Sequence, residues 1–214
     1  MESRAQVIKS NKDKKVSISV IPGHFATSHS HVNYYIDMTS VKCNQVVAAE
    51  AAKVLAQKYV TSKQVDTIVC MDNCEMIGGF MAMELAANGV GAINKNTGIS
   101  VVNPEYNING QMVFRDNIQS LIWNKNIVLL VASATTGKTI NRCIECIQYY
   151  GGNIVGISAI FSASRKSRDG YEIDSIFEDS DLPEYSTYDF KSCPNCKAQR
   201  KIDAIVNSNG YTKL

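Results

Sequence analysis

The chain has 214 residues, which is long enough to bury one substantial hydrophobic core. With 45% hydrophobic and 20% charged residues, its composition is that of an ordinary globular protein. Lys and Arg exceed Asp and Glu by only two, so we expect no concentrated basic face and no nucleic-acid partner.

The N-terminal segment MESRAQVIKSNKDKK carries charges where a signal peptide has an apolar run. No apolar stretch approaches the roughly 20 residues that span a bilayer. We therefore expect a cytoplasmic protein without a membrane partner. The seven cysteines, an odd number, are then expected to be reduced thiols rather than a disulfide framework.

Residues 16–25, VSISVIPGHF, form a short extended segment that Pro22 and Gly23 are predicted to break. A polar turn through His31 follows, and His24, His29 and His31 lie in it or just before it. A polar turn is enough to explain them, although a metal cluster or a general base is also compatible with this residue type.

Two helices and a strand are predicted next. Residues 44–59 have apolar residues at helical spacing, with Asn44 as the N-cap. Residues 66–71, DTIVCM, form a short apolar run typical of a strand buried on both faces. A second helix is expected over FMAMELAANG and ends at the Asn88-Gly89 pair.

The middle of the chain changes character twice. Residues 91–115 alternate apolar residues with Gly and Asn, which favours a hairpin or a flexible flap. A strand (NIVLLVA), a tight turn (TTGKT), a helix (INRCIECIQYYGG) and a strand (NIVGISAIF) then follow in close succession. Connections this short indicate parallel strands joined by helical crossovers, hence an α/β fold.

From Ser162 onward the chain is polar and is expected to be rich in loops. Cys143 and Cys146 lie on the predicted helix, where Cys143 shares the apolar face and is interpreted as a core thiol. Cys193 and Cys196 form a C-x-x-C pair, which is half of a zinc site. No neighbouring second pair is evident, so we predict no metal site here; a local disulfide or simple packing is the alternative.

Two loops are candidates for ligand binding, because ligands of such sheets sit where strands lead into helices. They cover residues 72–79 and 132–139. The second combines small residues, threonine hydroxyls and a lysine ahead of a helix N-terminus, which suits a phosphate group.

The stretch from Ala132 to Thr139 also fits a relaxed ATPase phosphate-binding loop, A-x-x-x-x-G-K-T. An ATPase loop usually follows the first strand and needs a downstream Asp for Mg²⁺. Here a complete strand and helix come first, and the next strand ends in SAS without an acid. The ATPase interpretation is therefore disfavoured.

The same stretch resembles the phosphoribosyl pyrophosphate (PRPP) loop of the type I phosphoribosyltransferases. That motif has an apolar strand, two acids, two spacer residues and a Thr/Gly-rich phosphate cradle. The cradle residues would be Thr135, Thr136, Gly137, Lys138 and Thr139. The two acids would fall on Val131 and Ala132, so this chain departs from the motif there.

Other segments narrow the resemblance to the orotate phosphoribosyltransferases. They are GHFATSHSHVNYYIDM, VDTIVCMDNCEMIGGFMAMELA, GQMVFRDN and PEYSTYDFKSCPNCK, and they occur in the family's order. The resemblance implies a parallel five-stranded sheet flanked by helices, with a small hood and a flexible flap. We expect the hood segment at residues 1–40, the α/β core at 41–165 and a loop-rich hood or tail at 166–214.

The resemblance also implies a homodimer that transfers ribose 5-phosphate from PRPP to orotate with the help of Mg²⁺. It places a pyrophosphate loop at Ile77, Gly78 and Gly79. Possible contacts to substrate anions are Lys95, Arg115 and Arg165.

Val131 and Ala132 cannot supply the carboxylates that would bind the ribose hydroxyls, and Asp72 and Glu75 are the possible substitutes. No catalytic residue is identified. The alternative to an enzyme is a protein of the same fold that binds a nucleotide or phosphate as a sensor or assembly partner.

Overall fold

A computed structural model of the chain describes residues 1–87, 89–108, 110–135 and 137–214. The helices are α1 Thr39–Cys43, α2 Gln45–Ala56, α3 Glu75–Ala86, α4 Asp116–Gln119, α5 Lys138–Tyr149 and α6 Pro194–Lys197. The strands are β1 Gln6–Lys9, β2 Ser17–Ala26, β3 His31–Asp37, β4 Thr67–Cys70, β5 Ser100–Val102, β6 Glu105–Tyr106, β7 Met112–Val113, β8 Asn126–Ala134, β9 Asn153–Ser162, β10 Ile173–Glu178, β11 Thr187–Tyr188, β12 Ala204–Asn207 and β13 Gly210–Lys213.

The core is a parallel five-stranded sheet in the order β10-β9-β8-β4-β5. The predicted α/β class and the five-stranded parallel sheet are thereby confirmed. The fifth strand, β10, lies C-terminal to residue 165, where we had expected the core to end. The polar sequence after Ser162, which was expected to form loops, therefore contains the core strand β10.

Helices cover both faces of this sheet. The helices α2 and α3 pack on one face, and the apolar side of α5 packs on the other. Strand β8 alternates between the two, so Leu130 and Ala132 face α2 and α3, whereas Leu129 and Val131 face α5. The side chain of Asn44 accepts hydrogen bonds from two backbone N–H groups of α2, which confirms the predicted N-cap.

A second, mostly antiparallel sheet forms the hood, in the order β11-β3-β2-β12-β13 with β1 also paired to β2. Its strands come from both ends of the chain, and β12 is parallel to β2. The predicted break at Pro22 and Gly23 is wrong, because β2 runs through them. The register between β2 and β3 shifts between Pro22 and Phe25, and this bulge accommodates the proline.

The segment between β5 and α4 contains a small hairpin of β6 and β7, as predicted for this region. None of the helices within the described part of the chain has the length and apolar character needed to cross a bilayer.

Candidate functional site

The candidate site lies where the order of the core strands reverses. From β4 the chain moves outward to β5, and then returns to place β8 on the opposite side of β4. In open α/β sheets, ligands bind in the crevice beyond the carboxyl ends of the strands at such a switch point. The loops after β4 and β8 meet there.

A cavity of about 420 Å³ occupies this crevice. Its floor comes from the loops after β4 and β8, and its walls come from the hood. The hood contributes the turn at residues 27–30 between β2 and β3, together with residues 206–210 at the turn between β12 and β13. A site enclosed by core and hood can hold a small ligand with polar groups.

The predicted phosphate cradle faces this cavity through Thr135, Gly137 and Thr139. Gly137 precedes α5 and adopts the left-handed conformation, with φ of 71°. Backbone N–H groups of the first turn of a helix lack intrahelical partners, so this end of α5 suits an anion. Thr136 and the side chain of Lys138, also predicted for the cradle, lie outside the described residues.

A carboxylate stands beside the cradle. Asp72 follows β4 and lines the cavity, and its Oδ2 accepts a hydrogen bond from the backbone N–H of Ala132 at 3.4 Å. Burial raises the pKa of Asp72, an effect that the hydrogen bond from Ala132 and the nearby Lys42 ammonium partly oppose. Asp72 thus lies next to Ala132, which is one of the two positions where the PRPP motif has an acid.

The backbone at this carboxylate is unusual. Asp72 and the following Asn73 have φ values of 57° and 62°, in the left-handed region. Asp and Asn are the non-glycine residues that tolerate this conformation best, and such outliers concentrate at functional sites. The turn directs the Asp72 carboxylate toward the neighbouring strand β8.

Two cations that the sequence did not single out line the cavity, Lys42 on α1 and Arg142 on α5. The Nζ of Lys42 donates to the backbone oxygens of Asp72 at 3.1 Å and of Ser208 at 2.5 Å. Lys42 therefore connects the core loop to the hood. Neither residue lies in a recognisable motif, so only the folded arrangement reveals them.

The three cations predicted from the resemblance lie elsewhere. Lys95 is exposed, Arg115 pairs with Glu105 at 2.8 Å, and Arg165 pairs with Glu178 at 3.2 Å. None of them lines the cavity.

The predicted pyrophosphate loop is also placed differently. Ile77, Gly78 and Gly79 belong to α3, and none of them lines the cavity. Ile77 is fully buried, and a Cβ at Gly78 would collide with Cys70 Sγ on β4. Gly78 therefore lets α3 approach the sheet, and the loop that faces the cavity is the preceding turn around Asp72.

Val131 and Ala132, the positions without acids, differ in orientation. Val131 is fully buried on the α5 side of the sheet, whereas Ala132 lines the cavity. Of these two positions, only 132 presents its side chain to the cavity.

The expectation that no second ligand pair accompanies Cys193 and Cys196 is wrong. The structure places His24 and His31 against these cysteines, with the four ligand atoms within 4.8 Å of one another. Their separation in the sequence hid this proximity.

The fold has clear counterparts among solved structures. The orotate phosphoribosyltransferase of Mycobacterium tuberculosis superposes with a TM-score of 0.53 at 14% identity, over 77% of this chain and 92% of that one. The orotate phosphoribosyltransferase of Aeropyrum pernix gives 0.52 at 16% identity, over 77% and 91% of the two chains. The adenine phosphoribosyltransferase of Thermoanaerobacter pseudethanolicus gives 0.51 at 15% identity, over 83% and 96%.

The M. tuberculosis enzyme has also been solved with PRPP, and that complex superposes at a TM-score of 0.50 with 12% identity over 69% of this chain and 82% of that one. No family model matches the sequence. No curated protein matches it either.

The fold of this chain is that of the type I phosphoribosyltransferases. Two of the three enzymes compared above act on orotate and the third on adenine, so the shared architecture serves more than one base.

Proposed function

We propose that the cavity binds the ribose 5-phosphate part of PRPP or of a nucleoside monophosphate, and that the protein is a phosphoribosyltransferase acting on a pyrimidine base such as orotate. The observation that carries the proposal is the convergence of the phosphate cradle and the Asp72 carboxylate on one cavity. The PRPP complex of the M. tuberculosis enzyme, which shares this fold, supports the choice of ligand.

In this proposal each part of the ligand has a chemical counterpart. The 5-phosphate lies at the N-terminus of α5, between the Thr135 and Thr139 hydroxyls and free backbone N–H groups. The ribose hydroxyls donate to the Asp72 carboxylate, which replaces the acids of the PRPP motif. Lys42 and Arg142 face the same cavity and balance the charge of a diphosphate.

The reaction breaks the bond between ribose C1 and a diphosphate oxygen, and the oxygen keeps the electron pair. A ring nitrogen of the base forms the new bond to C1 and releases its proton to water. Because the C1–O bond breaks ahead of this step, ribose carries positive charge in the transition state. A nearby carboxylate such as Asp72 stabilises that charge, which makes it the leading candidate for an electrostatic role.

The family resemblance also implies Mg²⁺. Among the described residues lining the cavity, Asp72 is the one carboxylate. This donor set does not form a protein cage for Mg²⁺, but it fits an ion held mainly by phosphate oxygens, the usual mode for Mg²⁺ with such ligands. Asp72 is the residue that would contact it.

A second function is favoured by a separate observation. The acid positions of the motif are apolar, and the cations predicted to contact substrate anions lie outside the cavity. A protein with this arrangement could hold a nucleotide without turning it over, as a sensor or assembly partner.

One experiment separates the two functions. The purified chain is incubated with PRPP, orotate and Mg²⁺ while orotate absorbance is followed, and PRPP and orotidine monophosphate binding is measured by calorimetry. Loss of absorbance with binding supports the enzyme, and binding without turnover supports the second function. Absence of binding by both ligands would exclude this use of the cavity.

A further inference from the structure

A cluster of four potential metal ligands lies in the hood. His24 is on β2, His31 begins β3, Cys193 is the N-cap of α6, and Cys196 lies within α6. The distances are 3.0 Å between His24 Nε2 and His31 Nδ1, 3.5 and 3.6 Å from His24 Nε2 to Cys193 Sγ and Cys196 Sγ, and 3.2 Å from His31 Nδ1 to Cys196 Sγ.

We propose that His24, His31, Cys193 and Cys196 bind a structural zinc ion. Tetrahedral zinc has Zn–N bonds of about 2.0–2.1 Å and Zn–S bonds of about 2.3 Å, which put neighbouring ligand atoms about 3.3–3.8 Å apart. The four separations given above are close to these values, and all the ligand atoms lie within 4.8 Å of one another, so small side-chain movements would complete the site.

The orientation of His24 supports metal binding. Its Nδ1 lies 3.0 Å from the backbone oxygen of Arg200. Because a carbonyl oxygen only accepts, Nδ1 carries the proton, and the lone pair of a neutral ring is on Nε2, facing the cluster. A histidine that ligates zinc is commonly fixed in this way by a carbonyl behind it.

The cysteine pair is positioned by local structure. Pro194 starts the short helix α6, and the backbone N–H of Lys197 donates to the Cys193 oxygen at 3.1 Å. Residues three apart on a helical turn share a face, so both thiols can reach one ion. The Phe190 ring packs edge-on against His31, with ring centroids 5.0 Å apart, and helps to hold that imidazole.

The burial of three ligands and the number of ligands indicate a structural site. Cys193 is fully buried, and His24 and His31 are 3% and 6% exposed, whereas Cys196 closes the site from the surface. Four protein ligands saturate tetrahedral zinc and leave no position for a substrate, unlike a catalytic zinc site with three.

The consequence concerns the hood wall of the cavity. His24 and His31 stand on either side of the turn at residues 27–30, which lines the cavity. Zinc would tie the base of this turn to α6, so the metal would fix the hood wall without contacting the phosphate cradle.

The test uses the full chain in reducing buffer and needs no nucleotide, so it is independent of the proposed enzymatic function. Zinc content is measured by elemental analysis, and Co²⁺ is titrated into metal-free protein. We expect about one ion per chain, together with thiolate-to-cobalt charge-transfer absorption and the visible bands of a tetrahedral site.

Cys196→Ser should lose stoichiometric zinc and the charge-transfer band, and should lower the thermal midpoint. Cys43→Ser is the matched control, since Cys43 is an exposed thiol outside the cluster, and it should behave as wild type. Folded, reduced wild-type protein that binds neither Zn²⁺ nor Co²⁺ would overturn the proposal and leave the cluster as a histidine–histidine hydrogen bond beside two free thiols. Unchanged zinc in Cys196→Ser would overturn it equally.

Discussion

At the scale of single residues, Asp72 decides how the site is interpreted. Val131 and Ala132 stand at the acid positions of the PRPP motif, yet a carboxylate from the loop after the neighbouring strand β4 lies beside Ala132. In the proposed function, the loop after β4 therefore supplies the charge. Because of this placement, mutation can remove the carboxylate at position 72 and introduce one at position 132 instead.

Asp72→Asn is expected to weaken PRPP and orotidine monophosphate binding by tenfold or more, since a charge-assisted hydrogen bond contributes about 1.5–3 kcal/mol. Adding Ala132→Asp to this variant should recover part of the affinity, because position 132 faces the same cavity. Calorimetry measures both steps. If Asp72→Asn binds like wild type, the proposed ribose contact is wrong.

The raised pKa of Asp72 predicts a pH dependence of binding. Hydroxyl recognition needs the ionised carboxylate, so affinity should fall as pH decreases through a pKa above the ordinary 3.8. The phosphates of the ligand also titrate, and the affinity of Asp72→Asn as a function of pH reports their titration alone. The difference between the wild-type and variant profiles should therefore report the titration of the Asp72 carboxylate. Identical profiles would contradict its role in binding.

The same shift has a consequence for stability. Because folding raises the pKa of Asp72, its contribution to the free energy of unfolding is most favourable below the ordinary pKa and is lost as pH rises through the folded value. Asp72→Asn removes this dependence. The thermal midpoint of Asp72→Asn relative to wild type, measured without ligand, should therefore rise as pH increases from the ordinary pKa of 3.8 through the folded pKa, and a constant difference would count against the shift.

At the scale of elements, two adjacent glycines on α3 test how that helix packs. Gly78→Ala should destabilise the protein by about 1–3 kcal/mol, because the added methyl group meets Cys70 and Val101. Gly79 has open space around its Cβ position, so Gly79→Ala should stabilise the helix by about 0.5–1 kcal/mol.

Urea unfolding measures both changes, and ligand affinity should stay near wild type in Gly79→Ala. A large loss of affinity in that variant with unchanged stability would instead restore the pyrophosphate-loop interpretation of this segment.

The elements that sequence patterns predicted are those with strong local signals. Strands β4, β8 and β9 are continuous apolar runs, and α2 has both apolar spacing and an N-cap. Strand β12 was missed because it is four residues long, alternates buried with exposed positions and depends on pairing with the distant β2.

The residues of the candidate site likewise fall into those that a local motif predicted and those that only the fold brings together. The cradle was predicted from a contiguous motif, and its described residues Thr135, Gly137 and Thr139 line the cavity. Lys42 has no motif, and the position of Asp72 over Ala132 follows from the adjacency of β4 and β8. The proximity of His24 to Cys193 likewise arises only when the hood closes.

At the scale of the whole molecule, the homodimer implied by the resemblance remains to be tested. Several large apolar side chains are at least two-thirds exposed in the isolated chain, among them Val7, Met83, Trp123 and Tyr149. Association of two copies is one way to cover such groups. Light scattering after size exclusion should therefore give twice the mass of the chain, and a monomeric mass at high protein concentration would contradict the expectation.

The order in which the chain is synthesised affects when the hood can form. Phe25 on β2 pairs with Ala204 on β12, so this sheet needs segments made early and late in synthesis. The five core strands all lie between them and can pair first, because domains fold as their segments emerge and distant contacts form slowly. We therefore expect the core to form before its cavity has a complete hood wall, because residues 204–213, which complete that wall, are made after all five core strands.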